Sequence, residues 1–286
     1  MTAPQPPSPH AADGPSPAFD PGAEAASPYQ APPQDSPYRA PAQEMPHPAP
    51  VPVAAPGTDA ASDLGAALKF AGNALLRNPA AYLVSSGVYF AVLVLISIIA
   101  VVVPMVFLVG MLVETTNPES AAVGALLIFY AAVLVLMLPL APLMWLWQTG
   151  AARSAAIVAD GGRPTIGQAF VGPWRILLTV ILVSAITFVG ALLFYIPGLI
   201  AAVLLYYALP AAARGASPVE AVKESFEMVR ANLGATLLAW LVVGAISSVA
   251  SLFVLPVLLV IPFSLLLQLG MYERLKGREL VEPAQA

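Results

Sequence analysis

Apolar residues occupy most positions between residues 79 and 271, and short polar segments divide them into long runs. The first two runs cover about residues 79–113 and 121–148, and two longer stretches cover 174–213 and 234–271. Because about 20 helical residues span the hydrocarbon core of a membrane, each longer stretch has room for two crossings. The pattern predicts an all-α membrane protein with six transmembrane helices.

Lysine and arginine residues avoid these runs and indicate the topology. Eleven of the twelve fall into four clusters, Lys69/Arg77, Arg153/Arg163/Arg175, Arg214/Lys223/Arg230 and Arg274/Lys276/Arg278. Basic residues are enriched on the cytoplasmic side of membrane proteins, and the apolar stretches between clusters are long enough for an even number of crossings. We therefore expect three hairpins, with the amino and carboxyl termini in the cytoplasm.

A short amphipathic helix is predicted before each hairpin. These helices open at Asp63, Thr165 and Ser217. In the second and third, a Gln or Glu follows three residues later and completes a capping box, in which each side chain bonds the other residue's backbone N–H. The third helix has an apolar stripe formed by Val219, Val222, Phe226, Val229 and Leu233. Its charged residues face away from the stripe: Glu220, Lys223, Glu224, Glu227 and Arg230. We expect these helices to lie in the membrane interface, although a soluble core helix would show the same stripe.

Two of the predicted crossings are short. Residues 195–198 predict a tight turn into the fourth crossing, which ends before Arg214 after about 16 residues, or about 24 Å of helix. The sixth crossing, after Pro256, is similarly short. The sequence therefore leaves open whether the hairpins at 174–213 and 234–271 cross the bilayer fully.

Residues 1–62 differ in composition from the rest of the chain and contain 17 of the 30 prolines. They lack the apolar residues that a packed core needs, so we expect a disordered, proline-rich cytoplasmic tail. A nine-residue repeat at 27–44 begins each copy with Ser-Pro-Tyr. It indicates either drift in a low-complexity linker or a docking motif for a cytoplasmic protein partner. A six-helix membrane domain at 63–275 and a short cytoplasmic tail at 276–286 complete the predicted organisation.

No pattern in the sequence predicts an active site. The chain has no cysteine, and its two histidines, His10 and His47, lie in the proline-rich tail. Thiol nucleophiles are thereby excluded, as are a serine–histidine–aspartate triad and a histidine zinc site in the membrane domain. The basic clusters are explained by topology better than by nucleic-acid binding. We expect no enzyme activity, no catalytic, cofactor-binding or metal-binding residues, no cofactor and no nucleic-acid partner.

At bilayer depth the apolar runs contain uncharged polar residues but no Asp, Glu, His, Lys or Arg. Ionisable residues within a membrane mark proton relays and ion pathways, so their absence argues against a proton-coupled transporter. The polar residues are Ser85, Ser86, Ser97, Gln148, Thr179, Ser184, Thr187, Thr236, Ser247, Ser248, Ser251, Ser264 and Gln268. We expect most of them to bond their own helix or to allow close helix packing.

The segments Ile196-Pro197-Gly198-Leu199-Ile200 and Ser217–Phe226, with Pro210 between them, carry a resemblance to a known group. They are similar to a pattern shared by bacterial six-helix membrane proteins of uncharacterised function. The group includes the membrane domain fused to some glycerophosphoryl diester phosphodiesterases, whose catalytic domain has no counterpart here. The resemblance covers residues 63–275 loosely and 195–235 more closely. It implies a six-helix fold in the bacterial inner membrane, and it brings no reaction with it.

Two functions remain open from the sequence. The first is a non-enzymatic scaffold or accessory factor of membrane and envelope organisation, which contacts membrane lipids through its amphipathic helices and a protein partner through residues 27–44. The second is a transporter or channel for a neutral or lipid-like solute, because broken helices often mark a substrate site. A cavity in the middle of the helix bundle would favour the second.

Overall fold

A computed structural model describes residues 55–114 and 118–284, and every regular element in these residues is a helix. The first five helices are α1 (Ala60–Arg77), α2 (Pro79–Glu114), α3 (Pro118–Met137), α4 (Leu140–Ala159) and α5 (Ile166–Phe170). They are followed by α6 (Trp174–Leu193), α7 (Tyr195–Leu204) and α8 (Ala208–Ala213). The last three are α9 (Pro218–Ala231), α10 (Leu233–Ala250) and α11 (Val254–Leu275). The predicted all-α fold is confirmed.

Six helical stretches are long and apolar enough to cross a membrane, as the sequence predicts. They are Pro79–Val113, Ala122–Ala159, Ile166–Leu193, Tyr195–Ala213, Leu233–Ala250 and Pro256–Leu275. Large apolar side chains cover their outer surface, and Phe107 and Leu134 are 69% and 68% exposed. An apolar surface of this extent is stable against lipid and unfavourable in water. The chain is therefore a multi-pass membrane protein.

The fourth stretch is divided into two helices. The chain leaves helical geometry between α7 and α8, at residues 205–207. The buried Ser225 of α9 bridges this break, because its hydroxyl donates to the carbonyl of Leu204 at 2.9 Å and accepts from the N–H of Tyr207 at 3.0 Å. A buried backbone group without a partner is unfavourable, so these two bonds stabilise the break. The sequence predicted a short fourth crossing but not its division.

The sixth crossing lies within helix α11, which has 22 residues, or about 33 Å of helix. The helix begins at Val254, before Pro256, and continues through Pro262. Its last turn carries Glu273 and Arg274, so its apolar part is shorter than the whole helix. The prolines do not interrupt this helix, and the short crossing stays a prediction.

The predicted capping boxes are present in both α5 and α9. In α5 the hydroxyl of Thr165 accepts from the N–H of Gln168, whose side chain accepts in return from the N–H of Thr165. Ser217 and Glu220 make the same exchange at the start of α9. Hydrogen bonds from the side chain and the backbone of Ser217 hold the pKa of the Glu220 carboxyl below its ordinary value. Both helices therefore begin at the residues that the sequence indicated.

Helix α1 begins earlier than predicted. Its N-cap is Asp59 and not Asp63, because the Asp59 carboxylate accepts from the N–H of Ser62 at 2.7 Å. Residues 60–62 thus belong to the helix, whereas the sequence analysis placed them in the tail. The remainder of the predicted tail up to residue 54, including the repeat at 27–44, lies outside the described residues.

The apolar stripe predicted for α9 is divided between the protein core and the outer surface. Val229 is buried, but Val219 and Phe226 are 58% and 38% exposed. The buried face consists of Ala221, Ser225, Met228 and Val229. The small side chains at 221 and 225 allow α9 to lie close to α8, which valine or phenylalanine there would prevent. Val219 and Phe226 are left on the outer surface.

Glycines allow two close backbone contacts. A Cβ atom at Gly150 of α4 would lie only 2.1 Å from the carbonyl oxygen of Ala169 in α5. A Cβ atom at Gly198 would lie 2.7 Å from the backbone nitrogen of Ala191 in α6. The turn between α6 and α7 lies at Phe194, which is extended, and the predicted turn residues 195–198 form the start of α7.

The carboxyl-terminal segment after α11 contacts α1. The side chain of Arg77 donates to the carbonyl of Pro283 at 2.6 Å and pairs with Glu282. Pro283 is buried, and Leu280 packs against the main hydrophobic core. Residues 280–283 of the segment predicted as a tail at 276–286 therefore contact the helical domain.

Candidate functional site

Ion pairs gather at one end of the bundle, which we call the charged end. Its residues are Asp63, Asp160, Glu224, Glu273, Arg214, Arg274, Lys276 and Arg278. Asp63 of α1 and Arg274 of α11 are the most deeply buried pair among the described residues, with 1% and 6% of their side chains exposed. Their Oδ1 and Nε atoms are 2.7 Å apart. The pair joins the first helix to the end of the last one.

Arg214, directly after α8, binds carboxylates from two other helices. Its guanidinium donates to Glu273 of α11 and to Asp160 at the end of α4, each at 2.5 Å. Burial alone would lower the pKa of Arg214, but the hydrogen bonds and charges of these two carboxylates outweigh burial and raise it. The guanidinium therefore stays charged and holds three helices together.

Glu224 of α9, on the charged side of the helix that faces away from the predicted apolar stripe, contacts the bundle. Its carboxylate accepts from the hydroxyl of Tyr272 at 2.5 Å and pairs with Lys276. Burial would raise the pKa of Glu224, but hydrogen bonds from Lys276 and Tyr272 outweigh burial, so its pKa lies below the ordinary value. The carboxylate is ionised at neutral pH and attaches α9 to α11. Paired carboxylates of this kind support the fold and are poor general bases.

A cavity of about 410 Å³ lies between α4, α6, α7, α10 and α11. Its polar lining consists of Gln148, Thr187, Tyr206, Trp240, Ser264 and Gln268. Since a helix rises 1.5 Å per residue, Gln268 and Ser264 lie about 10 Å and about 16 Å from the end of α11 at Leu275. A hydrocarbon core is about 30 Å thick, which places the cavity toward its middle.

Three polar groups in the cavity have no hydrogen-bond partner among the described residues. Tyr206 is only 7% exposed, and its hydroxyl makes no hydrogen bond. The side-chain amides of Gln148 and Gln268 make none either. The two glutamines are only half-buried, so a ligand in the cavity that carries hydroxyl, amide or ester groups could bond their amides.

The lining of the cavity is uncharged. No Asp, Glu, Lys, Arg or His occurs in it within the part of the chain that the structure describes. Apolar side chains, among them Val243 and Leu265, cover the surface between the polar groups. A charged solute would find no counter-charge in this cavity. A neutral molecule with an apolar part and a few hydrogen-bonding groups matches its chemistry.

Most polar residues of the membrane helices were expected to bond their own helix or to allow close helix packing. For seven hydroxyls this is confirmed, because each donates to a carbonyl three or four residues earlier: Ser85, Ser97, Thr179, Thr236, Ser248, Ser251 and Ser264. The assignment is wrong for Gln148 and Gln268, which line the cavity. An amide offers two donors and an acceptor, which its own helix satisfies less readily than a hydroxyl. Glutamines within apolar runs were therefore the signal available.

The described residues show no second candidate in the form of a metal site. Among residues 55–114 and 118–284, no three His, Cys, Asp or Glu side chains are arranged to hold a metal ion. The absence of catalytic, cofactor-binding and metal-binding residues stays a prediction. The candidate functional site is therefore the uncharged cavity.

The chain is similar to mycobacterial proteins over part of its length. It is 36% identical over 130 residues to the uncharacterised protein Rv2560 of Mycobacterium tuberculosis (strain ATCC 25618 / H37Rv). The same identity and length hold for the uncharacterised protein Mb2590 of Mycobacterium bovis (strain ATCC BAA-935 / AF2122/97). Each match covers 44% of this chain and 40% of the relative, so the chain spans about two fifths of the length of these relatives. No protein-family model and no solved structure matches the chain.

Proposed function

We propose that this chain is a non-enzymatic protein of the bacterial inner membrane that binds and transports a neutral, lipid-like solute. The observation that carries the proposal is the uncharged cavity, which the half-buried amides of Gln148 and Gln268 line together with apolar side chains. The sequence alone favoured a scaffold over a transporter, whereas the cavity favours a transporter. The solute would accept and donate hydrogen bonds at one end and contact the apolar lining at the other.

The break between α7 and α8 supports the same proposal. Leu205 and Tyr206 lie in the break, and both line the cavity. Non-helical backbone is tolerated at membrane depth only where it is buried in protein or lines a cavity. Many transporters bind their substrates at such discontinuous helices. Ser225, which fixes the break, would then also fix one wall of the binding site.

The topology belongs to the proposal as well. Three hairpins, each preceded by an interfacial helix, would place the charged end and both termini in the cytoplasm. Contacts between basic clusters support this arrangement, since Arg214 and Arg278 of different clusters both bond Glu273. The resemblance to the membrane domain of glycerophosphoryl diester phosphodiesterases is also part of the proposal. The mycobacterial relatives are uncharacterised and add no activity to it.

Replacing Gln148 and Gln268 together by leucine is expected to weaken retention of the solute about tenfold. Each hydrogen bond to an uncharged group contributes about 0.5–1.5 kcal/mol, and the double variant removes both amides. Leucine fills a similar space in the cavity with an apolar side chain. The measurement is mass spectrometry of the lipids and small molecules that co-purify with the protein in native-lipid discs.

Ser248→Ala is the matched control for this pair. Its hydroxyl donates to the carbonyl of Gly244 at 2.8 Å and does not line the cavity. The double variant should unfold at about the same temperature as the wild type, because both glutamines are only half-buried and no hydrogen bond within the described residues holds either amide. Equal retention of the same compounds by all three proteins would exclude the cavity as a binding site.

A scaffold function is the second candidate, and the outer surface of α9 favours it. Val219 and Phe226 are exposed there, and the guanidinium of Arg230 lies 5.4 Å from the centre of the Phe226 ring. Such a surface suits contact with lipid headgroups. The repeat at 27–44, as a docking motif for a cytoplasmic protein, would supply the second contact.

A chain that begins at residue 55 is expected to lose its cytoplasmic protein partner and to keep the cavity solute. This deletion retains Asp59, which caps α1, and the N–H of Gly57, which Asp63 binds. The helical domain should therefore keep its fold. Affinity purification with mass spectrometry compares the two chains, and an unchanged set of bound proteins would exclude recruitment by the tail.

A further inference from the structure

A second, smaller cavity lies beside the start of α6. Its volume is about 280 Å³, and its lining includes Arg153 of α4, Arg175 of α6 and Asp160. The two arginines belong to one of the basic clusters that the sequence analysis used as markers of topology. Their meeting at a single cavity gives them a role that topology alone does not explain.

Most N–H donors of both guanidinium groups are available. Arg153 donates one hydrogen bond, from Nη1 to the carbonyl of Val171 at 3.2 Å. Arg175 donates one, from Nε to the carbonyl of Ala212 at 3.1 Å. A guanidinium has five N–H donors, so these bonds hold each group in place and leave the other donors for a ligand. Neither arginine forms an ion pair with a carboxylate among the described residues.

Asp160 is the acidic residue in the described lining, and its charge is already balanced. Its Oδ1 accepts from Nη1 of Arg214 at 2.5 Å. Arg153 and Arg175 therefore contribute two positive charges that no carboxylate of the described residues neutralises. A site with this charge attracts an anion.

The surroundings of the cavity place it at the membrane surface. Trp174, next to Arg175, is 68% exposed. Tryptophan is enriched where membrane helices meet the headgroup layer. Helix α6 begins at this residue and has no side-chain cap, so its first N–H groups add positive potential. An anionic group in the headgroup layer would be within reach of the site.

We infer that this cavity binds a phosphate group, held between Arg153 and Arg175. Guanidinium groups bind phosphate through paired, charge-assisted N–H···O bonds, which their planar geometry favours. The phosphate belongs either to the headgroup of an anionic phospholipid or to a soluble phosphate compound. The site is separate from the solute cavity, and the inference does not depend on the proposed function.

The test compares the full-length wild type with an Arg153→Gln/Arg175→Gln double variant in lipid nanodiscs. The discs contain phosphatidylcholine and phosphatidylglycerol in equal amounts, and native mass spectrometry counts the lipids that stay bound after release into detergent. We expect the wild type to prefer phosphatidylglycerol. The preference should fall about fivefold for each arginine removed, the factor that corresponds to about 1 kcal/mol per basic residue near an anionic surface.

Discs of phosphatidylcholine alone distinguish the two sources of phosphate. If the ligand is soluble, inorganic phosphate raises the unfolding temperature of the wild type and not that of the double variant. If the ligand is a lipid, phosphatidylglycerol has this effect and inorganic phosphate does not. Either response supports a phosphate site, provided that it requires both arginines.

Arg163→Gln is the matched control, because Arg163 belongs to the same cluster, is exposed and does not line the cavity. An Arg153→Lys/Arg175→Lys variant keeps both charges and should show an intermediate preference, which separates loss of binding from loss of fold. The inference is overturned if the glutamine variant retains phosphatidylglycerol as the wild type does and phosphate has no effect. It is also overturned if Arg163→Gln weakens binding equally.

Discussion

Replacing Asp63 by alanine is expected to lower the free energy of unfolding by about 3–5 kcal/mol, the range for breaking a buried ion pair by removal of one partner. Asp63 is 1% exposed and accepts from Nε of Arg274 at 2.7 Å. The substitution removes the counter-charge that this carboxylate supplies to a buried guanidinium. It also removes the acceptor for the N–H of Gly57. The measurement is an unfolding titration in mixed micelles, followed by tryptophan fluorescence.

Asp59→Ala provides the matched control on the same helix. The Asp59 side chain is exposed and bonds one N–H group as the N-cap of α1, so its loss should cost only about 1 kcal/mol. The two substitutions remove the same charge from positions close in sequence and differ in burial. A loss at Asp63 no larger than the loss at Asp59 would contradict the role of the buried pair in attaching α1 to α11.

Replacing Gly150 by alanine is expected to cost about 1–3 kcal/mol, the range for an overpacked core, and to separate α5 from α4. The added Cβ would lie 2.1 Å from the carbonyl oxygen of Ala169. The backbone must therefore shift, and the hydrogen bond from the Tyr89 hydroxyl to the carbonyl of Phe170, 2.7 Å long, would be lost with it. Hydrogen exchange of the backbone N–H groups of α5 should become faster.

Gly167→Ala controls for the change of residue type. Gly167 lies within α5, is exposed and has no atom within 4 Å of an added Cβ. Alanine there should be neutral or stabilising by up to about 1 kcal/mol, because it favours the helix. If Gly150→Ala matched Gly167→Ala in its free energy of unfolding and in the hydrogen exchange of α5, the close contact between α4 and α5 would not be needed for stability.

Local features of this protein could be predicted from the sequence. The six spans follow from the length of the apolar runs. The capping boxes at Thr165 and Ser217 were predictable because each joins residues only three positions apart. Hydroxyls that bond their own helix belong to the same class. In the capping boxes and in these hydroxyl bonds, the two partners lie within about one helical turn of each other.

Long-range pairs could not be predicted in this way. Asp63 and Arg274 are 211 positions apart, and the sequence offered Asp63 only as the start of a helix. Ser225 bonds the break between α7 and α8 from a different helix, so nothing in the segment itself indicated the break. The face that α9 packs against the bundle could not be predicted for a related reason. Its small residues set how closely it packs, and they lie outside the apolar stripe that the sequence shows.

The candidate cavity could not be predicted either, because it depends on residues far apart in the sequence. Gln148 and Gln268 come from different helices, and only the packing of α4 against α11 brings both to the cavity. Each glutamine alone resembles a tolerated polar residue in a membrane helix. Together with Tyr206 they form a site with hydrogen-bonding capacity and no charge.

The central claim is that the cavity holds a specific neutral molecule and not bulk lipid. A photoreactive benzophenone amino acid at Val243, which lines the cavity, tests this claim against the same group at Leu241, which is 59% exposed on the same helix. The variants are irradiated in native membranes, and the attached molecules are identified by mass spectrometry. We predict that Val243 captures a neutral amphiphile that Leu241 does not. Capture of the same bulk phospholipids at both positions would contradict the account.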